Sequence, residues 1–167
     1  LESSGHQNII LVDNASTDGS VDALRKAFPL VRIIVNPANF GCAKANNIGI
    51  KEAKGRYICL VNSDVKALEG VLDKMHGYME NHPEIGALAP RVYFGDMQIQ
   101  KTCRKFPTLP NIFCEEFFLN ALFPAVSAFR GREMHWFDHE TIMEIEVLSG
   151  CFLMVRSEVV RQVGLLD

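Results

Sequence analysis

A chain of 167 residues with 48% hydrophobic and 22% charged content fits one globular domain with a sizeable core. A net charge of -3 and a pI near 6.0 supply no global basic field, which argues against nucleic acid as a partner. Five cysteines, odd in number and never spaced C-x-x-C, argue against a disulfide framework, a zinc knuckle and a redox protein.

The cysteines read instead as free, mostly buried thiols in a reducing compartment. No apolar run approaches the roughly 20 residues of a bilayer span and no signal peptide is visible, so a cytoplasmic location is expected. The start at Leu1 and the stop at Gly-Leu-Leu-Asp, just past a helix end, read as a fragment.

Leu1 to Asn8 is polar, and Ile9 to Val12 then forms a strand that ends at Asp13 and Asn14. Capping and turn residues follow, so a helix is expected from Asp18 or Ser20 to about Phe28, with Pro29 beyond it. Val31 to Val35 is a second β-branched strand, closed by Asn36 and a turn at Pro37. Asn39 to Gly49 reads as a tight turn entering a helix that runs to about Ala53, with Gly55 placed to cap it. Tyr57 to Val61 is the third strand and ends abruptly in Asn62, Ser63 and Asp64.

Strand, helix, strand, helix, strand, with continuous apolar strands, predicts a parallel sheet covered on both faces by right-handed crossovers. Each strand delivers Asp or Asn at its carboxyl end, where open α/β sheets place ligands. A shared polar crevice is expected there.

Leu68 to Asn81 carries Leu68, Val71, Leu72, Met75 and Met79 at helical spacing, a core-facing pattern in which the methionines pack. Ile85 to Phe94 reads as a strand broken at Pro90, and Gly95-Asp96 as a hairpin turn into Met97 to Cys103. Ile112 to Val126 is aromatic-rich and predicts a helix covering the sheet or bordering an acceptor site. A membrane-surface role competes with this, but the Lys and Arg of a membrane-facing helix are missing from its polar face. Ala128 to Glu140 is polar and irregular. Glu144 to Val155 re-enters the core around Ser149-Gly150-Cys151, and Ser157 caps a last helix to about Val163 with Gly164 at its end.

Asp64 is the strongest candidate for chemistry. One hard carboxylate at a strand end can hold Mg²⁺ or Mn²⁺ while leaving coordination sites to a diphosphate and water; a turn Asp capping the next helix is the bland alternative. Asp13 could accept from a base or ribose, or serve as an anion for the next helix. The Asn39 to Asn47 loop could offer amides at a helix N-terminus to phosphate, yet it carries neither G-x-G-x-x-G nor G-K-[ST]. His135, His139 and Glu140 have metal-ligand spacing without H-E-x-x-H, which disfavours zinc. Cys42 and Cys151 have no arguable His partner and are disfavoured as nucleophiles.

Residues 12 to 20 (Val-Asp-Asn-Ala-Ser-Thr-Asp-Gly-Ser), 39 to 49 (Asn-Phe-Gly-Cys-Ala-Lys-Ala-Asn-Asn-Ile-Gly), 60 to 64 (Leu-Val-Asn-Ser-Asp) and 148 to 156 (Leu-Ser-Gly-Cys-Phe-Leu-Met-Val-Arg) resemble the family 2 glycosyltransferases. The nearest group is the rhamnosyltransferase-like one of bacterial polysaccharide assembly. The resemblance implies an α/β GT-A fold, a Rossmann-like, mostly parallel sheet with helices on both faces. Residues 1–167 form one domain on this expectation, with 1–90 the nucleotide-sugar-binding half and 91–167 the acceptor-side half. It implies an inverting hexosyl- or rhamnosyltransferase of cell-surface polysaccharide synthesis. The donor is a UDP- or dTDP-linked sugar, the acceptor a saccharide or lipid-linked hydroxyl, and the location peripheral, at the inner membrane face.

Asp13, Asn14, Ser16, Gly41, Lys44, Asn47, Asn62 and Ser63 would bind the donor nucleotide. Asp64 would take the Mg²⁺ or Mn²⁺, and Ser149, Gly150 and Cys151 would lie beside donor sugar and acceptor. Asn62 stands where the family's D-x-D has its first carboxylate. Two family features are missing: an opening strand, placed between the first and third strands here, and an acidic pair after Gly-Leu-Leu-Asp that supplies the catalytic base. The 167 residues alone are expected to be inactive. A non-catalytic nucleotide- or carbohydrate-binding module and a nucleotidyltransferase are the alternatives, the latter lacking its Gly-rich basic phosphate loop.

Overall fold

The computed structural model describes residues 8–123, 126, 132, 134 and 136–167. The 1–7 stretch, His135 and much of 128–140 lie outside the described residues. The chain forms two compact units, one of Leu1–Leu60 with Val155–Asp167 and one of Val61–Met154.

In the first unit, β1 (Ile10–Asp13) pairs in parallel with β2 (Arg32–Val35), Ile10 opposite Arg32 and Asp13 opposite Val35. The crossover is α1 (Ser20–Ala27), which starts after Gly19 in the left-handed region at φ 79°. Helix α2 (Cys42–Glu52) packs on β1 through Gly49, where an added Cβ would sit 3.3 Å from Val12 Cγ2. Strand β3 (Tyr57–Val61) has no ladder to β1 or β2; the family resemblance puts a further strand between β1 and β3, and no described strand stands there. Strand β7 (Phe152–Arg156) leads into α6 (Ser157–Val163), where Ser157 N–H donates to the Arg56 carbonyl at 2.9 Å. Among the described residues, Ile50 and Ile58 are the buried apolar residues of this unit.

Two glycine and cap expectations change here. Gly55 does not cap α2, which ends at Ala53; its bare Cα is needed because a Cβ would lie 2.8 Å from the Tyr57 carbonyl oxygen. Ser157 is the first residue of α6 rather than its cap, and its hydroxyl donates to the Gly55 carbonyl instead.

In the second unit, α3 (Val71–Asn81) begins three residues later than its apolar spacing predicts, because Gly70 turns left-handed at φ 71°. Leu68 stays outside, 53% exposed, while Met75 and Met79 go into the core as expected. Pro90 separates β4 (Ala87–Leu88) from β5 (Val92–Tyr93), and β5 forms a hairpin with β6 (Ile99–Gln100). The turn is at Gly95-Asp96 as expected, closed by Met97 N–H donating to the Phe94 carbonyl at 2.9 Å, with Met97 left-handed at φ 66° and Asp96 accepting from Gln98 N–H.

The aromatic helix is two pieces. Helix α4 (Leu109–Glu116) opens with a capping box between Thr108 and Asn111, and α5 (Leu119–Leu122) follows a break at Phe118, φ 55°. Phe113, Phe117, Phe118, Leu122 and Phe123 are all exposed, so this segment does not cover a sheet among the described residues; Cys114 alone of α4 is buried. Core is supplied by Met134, Phe137, Phe152 and Met154, and by the antiparallel bridge of Arg104 to Val147.

All five cysteines are free, but only Cys114 is buried. Cys59 is half-buried, and its surroundings push the thiol up to about 11, so it remains protonated at neutral pH. No described helix is long and apolar enough to cross a membrane.

Candidate functional site

The carboxyl ends of β1 and β2 are joined by a network of side-chain amides. Asn14 is its centre: Nδ2 donates to Asn39 Oδ1 at 3.0 Å and to the Gly41 carbonyl at 3.2 Å. Its Oδ1 accepts from Asn36 Nδ2 at 3.0 Å and from Phe40 N–H at 3.2 Å. Asn39 Oδ1 also accepts from Gly41 N–H at 2.9 Å. Asn14 therefore ties the end of β1, the end of β2 and the loop before α2 into one rigid turn surface. Asparagine suits that role because its amide donates and accepts at once.

Asp13 is buried, 7% exposed, and sits beside this network. Its Oδ2 accepts from Ser16 N–H at 3.1 Å, closing an Asx-type turn in which Ala15 is held left-handed at φ 67°. Hydrogen bonding holds the carboxyl below the usual Asp value, with the Ser16 hydroxyl contributing most and the Ser16 and Ala15 amides adding, while burial opposes them. Asp13 does not act as the anion of α1. Asp18 has that place, with Oδ1 accepting from Ser20 N–H at 3.0 Å.

Helix α2 starts behind Gly41, φ 80°, with no side-chain cap, so its first amides point out of the helix end without a protein side chain on them. Lys44 folds back so that Nζ lies 4.0 Å from the centre of the Phe40 ring. Asn47 is committed elsewhere, donating to the Leu166 carbonyl at 2.6 Å and accepting from Leu166 N–H at 2.9 Å. Of the expected donor-binding residues, this unit thus brings together Asp13, Asn14, Ser16 and Gly41. Asn36, a strand-end residue of the expected crevice, and Asn39, the first residue of the loop before α2, complete the network.

In the second unit, Asn62, Ser63 and Asp64 follow β3 as an exposed turn, with Val65 N–H donating to the Asn62 carbonyl at 3.2 Å. Asn62 N–H donates to the Cys151 carbonyl at 2.9 Å, which joins this triplet to the Ser149-Gly150-Cys151 segment. Within that segment Ser149 Oγ donates to Cys151 Sγ at 3.2 Å and accepts from Cys151 N–H at 3.4 Å. Asp64 makes no hydrogen bond or ion pair among the described residues, and it caps nothing, since α3 begins only after Gly70. Among the described residues no three His, Cys, Asp or Glu side chains cluster as a metal cage. His139 is buried with Nδ1 3.0 Å from the Phe137 carbonyl oxygen.

The family model described as Glycosyl transferase family 2 matches residues 2–163. The N-acetylglucosaminyl-diphospho-decaprenol L-rhamnosyltransferase of Mycobacterium tuberculosis is 29% identical over 113 residues, 61% of this chain and 37% of that protein. Glycosyltransferase GlyG of Streptococcus pneumoniae is 40% identical over 76 residues, 42% of this chain and 25% of that protein. The mannosyltransferase PcManGT from Pyrobaculum calidifontis, solved in complex with GDP-Man and Mn²⁺, superposes with a TM-score of 0.54 at 17% identity, covering 96% of this chain and 38% of that one. The matched regions are thus 25% to 38% of these longer proteins.

Proposed function

The chain belongs to glycosyl transferase family 2 and has the GT-A α/β fold, and from that premise we propose that its parent protein moves a sugar from a nucleoside diphosphate donor to a saccharide or lipid-linked hydroxyl. The observation that carries this reading is Asp64: a solvent-facing carboxylate at the end of β3 with no structural partner among the described residues. Such a carboxylate is free to take a cation.

On this reading Asp13 and the Asn14 network receive the nucleoside, and the uncapped amides of α2 face the anionic diphosphate. Asp64 would hold a Mg²⁺ or Mn²⁺ ion, with Asn62 a neutral hydrogen-bonding neighbour. The bound ion would offset charge on the leaving diphosphate. The acceptor oxygen attacks the anomeric carbon as the carbon–oxygen bond to the diphosphate breaks, with inversion; a carboxylate base takes the acceptor proton. The family resemblance assigns that base to the acidic pair beyond Gly-Leu-Leu-Asp. Ser149, Gly150 and Cys151 lie on the side of sugar and acceptor. A cytoplasmic, membrane-peripheral enzyme of surface polysaccharide synthesis, with a UDP- or dTDP-linked donor, fits this chemistry.

Isothermal titration of UDP and dTDP into the intact protein, with and without Mn²⁺, tests the reading. Asp64→Ala is expected to weaken metal-dependent binding by at least about tenfold, or about 1.4 kcal/mol, and to bring sugar transfer to background. Unchanged metal-dependent affinity in the variant would remove the assignment. Nucleotide binding without sugar transfer to any acceptor would favour a non-catalytic binding module.

A further inference from the structure

The asparagines around the ends of β1 and β2 differ in what they leave unused. An Asn side chain carries two N–H donors and a carbonyl oxygen that accepts twice. Asn14 spends all of them: Nδ2 donates to Asn39 Oδ1 and to the Gly41 carbonyl, and Oδ1 accepts from Asn36 Nδ2 and Phe40 N–H. Its side chain has nothing left for a ligand and acts on one only through the turn it holds. Further along, Asn46 Nδ2 donates to Cys42 Sγ at 3.5 Å, and Asn47 Nδ2 to the Leu166 carbonyl at 2.6 Å.

Asn39 is the exception. Its Oδ1 accepts from Asn14 Nδ2 at 3.0 Å and from Gly41 N–H at 2.9 Å, whereas its Nδ2 has no acceptor among the described residues. Those two bonds fix which way the amide faces. A backbone N–H only donates, so a flipped Asn39 would set its own NH₂ against the Gly41 N–H, donor against donor. Nδ2 is therefore held on the far side of the amide from Gly41 N–H, on the exposed turn that follows β2.

A fixed donor facing a nucleoside discriminates bases by their exocyclic groups, because it bonds a carbonyl oxygen and opposes an amino group. We propose that Asn39 Nδ2 donates to the O4 carbonyl of the donor's pyrimidine and so selects uracil or thymine over cytosine. This rests on the reading that the Asn14 network receives the nucleoside, and it adds the residue that reads the base. On that reading the diphosphate already has the α2 amides and the cation at Asp64, and a neutral amide suits a neutral carbonyl.

Asn39→Asp separates reading the base from holding the turn. One carboxylate oxygen still accepts from Asn14 Nδ2 and Gly41 N–H, while the other replaces the unused NH₂ donor with an acceptor. In calorimetric titration with Mn²⁺, the intact protein is expected to bind UDP at least about tenfold more tightly than CDP. Asn39→Asp should weaken UDP, strengthen CDP and move the ratio of the two affinities by at least about tenfold toward CDP. Loosening of the turn alone would weaken both nucleotides alike. 4-Thio-UDP, which keeps N3–H and puts a weak sulfur acceptor in place of O4, should bind the unaltered protein at least about fivefold more weakly than UDP. That comparison needs no variant and stands even if Asn39→Asp unfolds. Equal affinity for UDP and 4-thio-UDP, or an unchanged UDP-to-CDP ratio in Asn39→Asp, would overturn the assignment of Asn39 and leave the donor site in place. Absence of any nucleotide binding by the intact protein would overturn both.

Discussion

Asp13 and Ala15 share one turn and set its response to acid and to substitution. The folded Asp13 carboxyl titrates below its ordinary 3.8, so the turn gains stability from the ionised form at any pH above that value. That gain is lost as the pH falls below 3.8 and through the lower folded value. NMR titration of the Asn14 to Ser16 amides is expected to show a midpoint below 3.8; a midpoint at or above it would mean the Ser16 bonds do not hold the carboxylate. Ala15, left-handed at φ 67°, costs what an L side chain costs in that region. Ala15→Gly should therefore raise unfolding stability by about 0.5–1 kcal/mol in a denaturant melt, and a loss of stability would contradict the strained turn. Polar residues after an apolar run announced Asp13, Asn14 and Asp64 in the sequence. The bonds of Asn36 and Asn39 to Asn14 span 22 and 25 residues, and no local spacing encodes a contact of that range.

Among the elements, α2 and α4 show how local chemistry and packing share the work. Gly49 lowers the helix propensity of α2 yet lets it approach β1. An alanine there would press on Val12 Cγ2 at 3.3 Å, and the longer side chain of Gly49→Leu should cost about 1–3 kcal/mol in equilibrium unfolding by pushing α2 off β1. A neutral result would show that α2 does not pack there. At α4, the reciprocal bonds of Thr108 and Asn111 close two amides, and Thr108→Ala is expected to cost about 1 kcal/mol, seen as faster amide exchange at Leu109, Asn111 and Ile112. The alternating strands and helices to Val61 were legible because apolar runs and turn residues agreed there. From Leu68 to Val126 they agreed less: left-handed Gly70 and Phe118 cut the apolar periodicity, which carries no record of backbone handedness.

At the scale of the molecule, the parallel ladder of the first unit is two strands wide, and Ile10, Leu11 and Val12 of β1 are only half-buried. A two-stranded ladder is marginal in water without a third strand or a fuller helix cover. The side of β1 away from β2 has no ladder partner among the described residues, and β3 has none toward β1 or β2. Unpaired amides on such an edge exchange freely and template pairing with other chains. The matched regions make up only 25% to 38% of the relatives' own lengths, and the family resemblance places one more strand between β1 and β3. In hydrogen exchange, the amides of β1 and β3 that do not donate into the β1–β2 and β3–β7 ladders are therefore expected to be protected at least about tenfold more in the intact protein than in the isolated 167 residues, a difference of about 1.4 kcal/mol in local opening. The isolated chain should bind nucleotide only weakly, because the Asp13 turn hangs from that half-built ladder. Equal protection of those amides in both proteins would show that the free edges of β1, paired with β2, and β3, paired with β7, need no further partner, and that the donor-side turn is as rigid in the piece as in the whole.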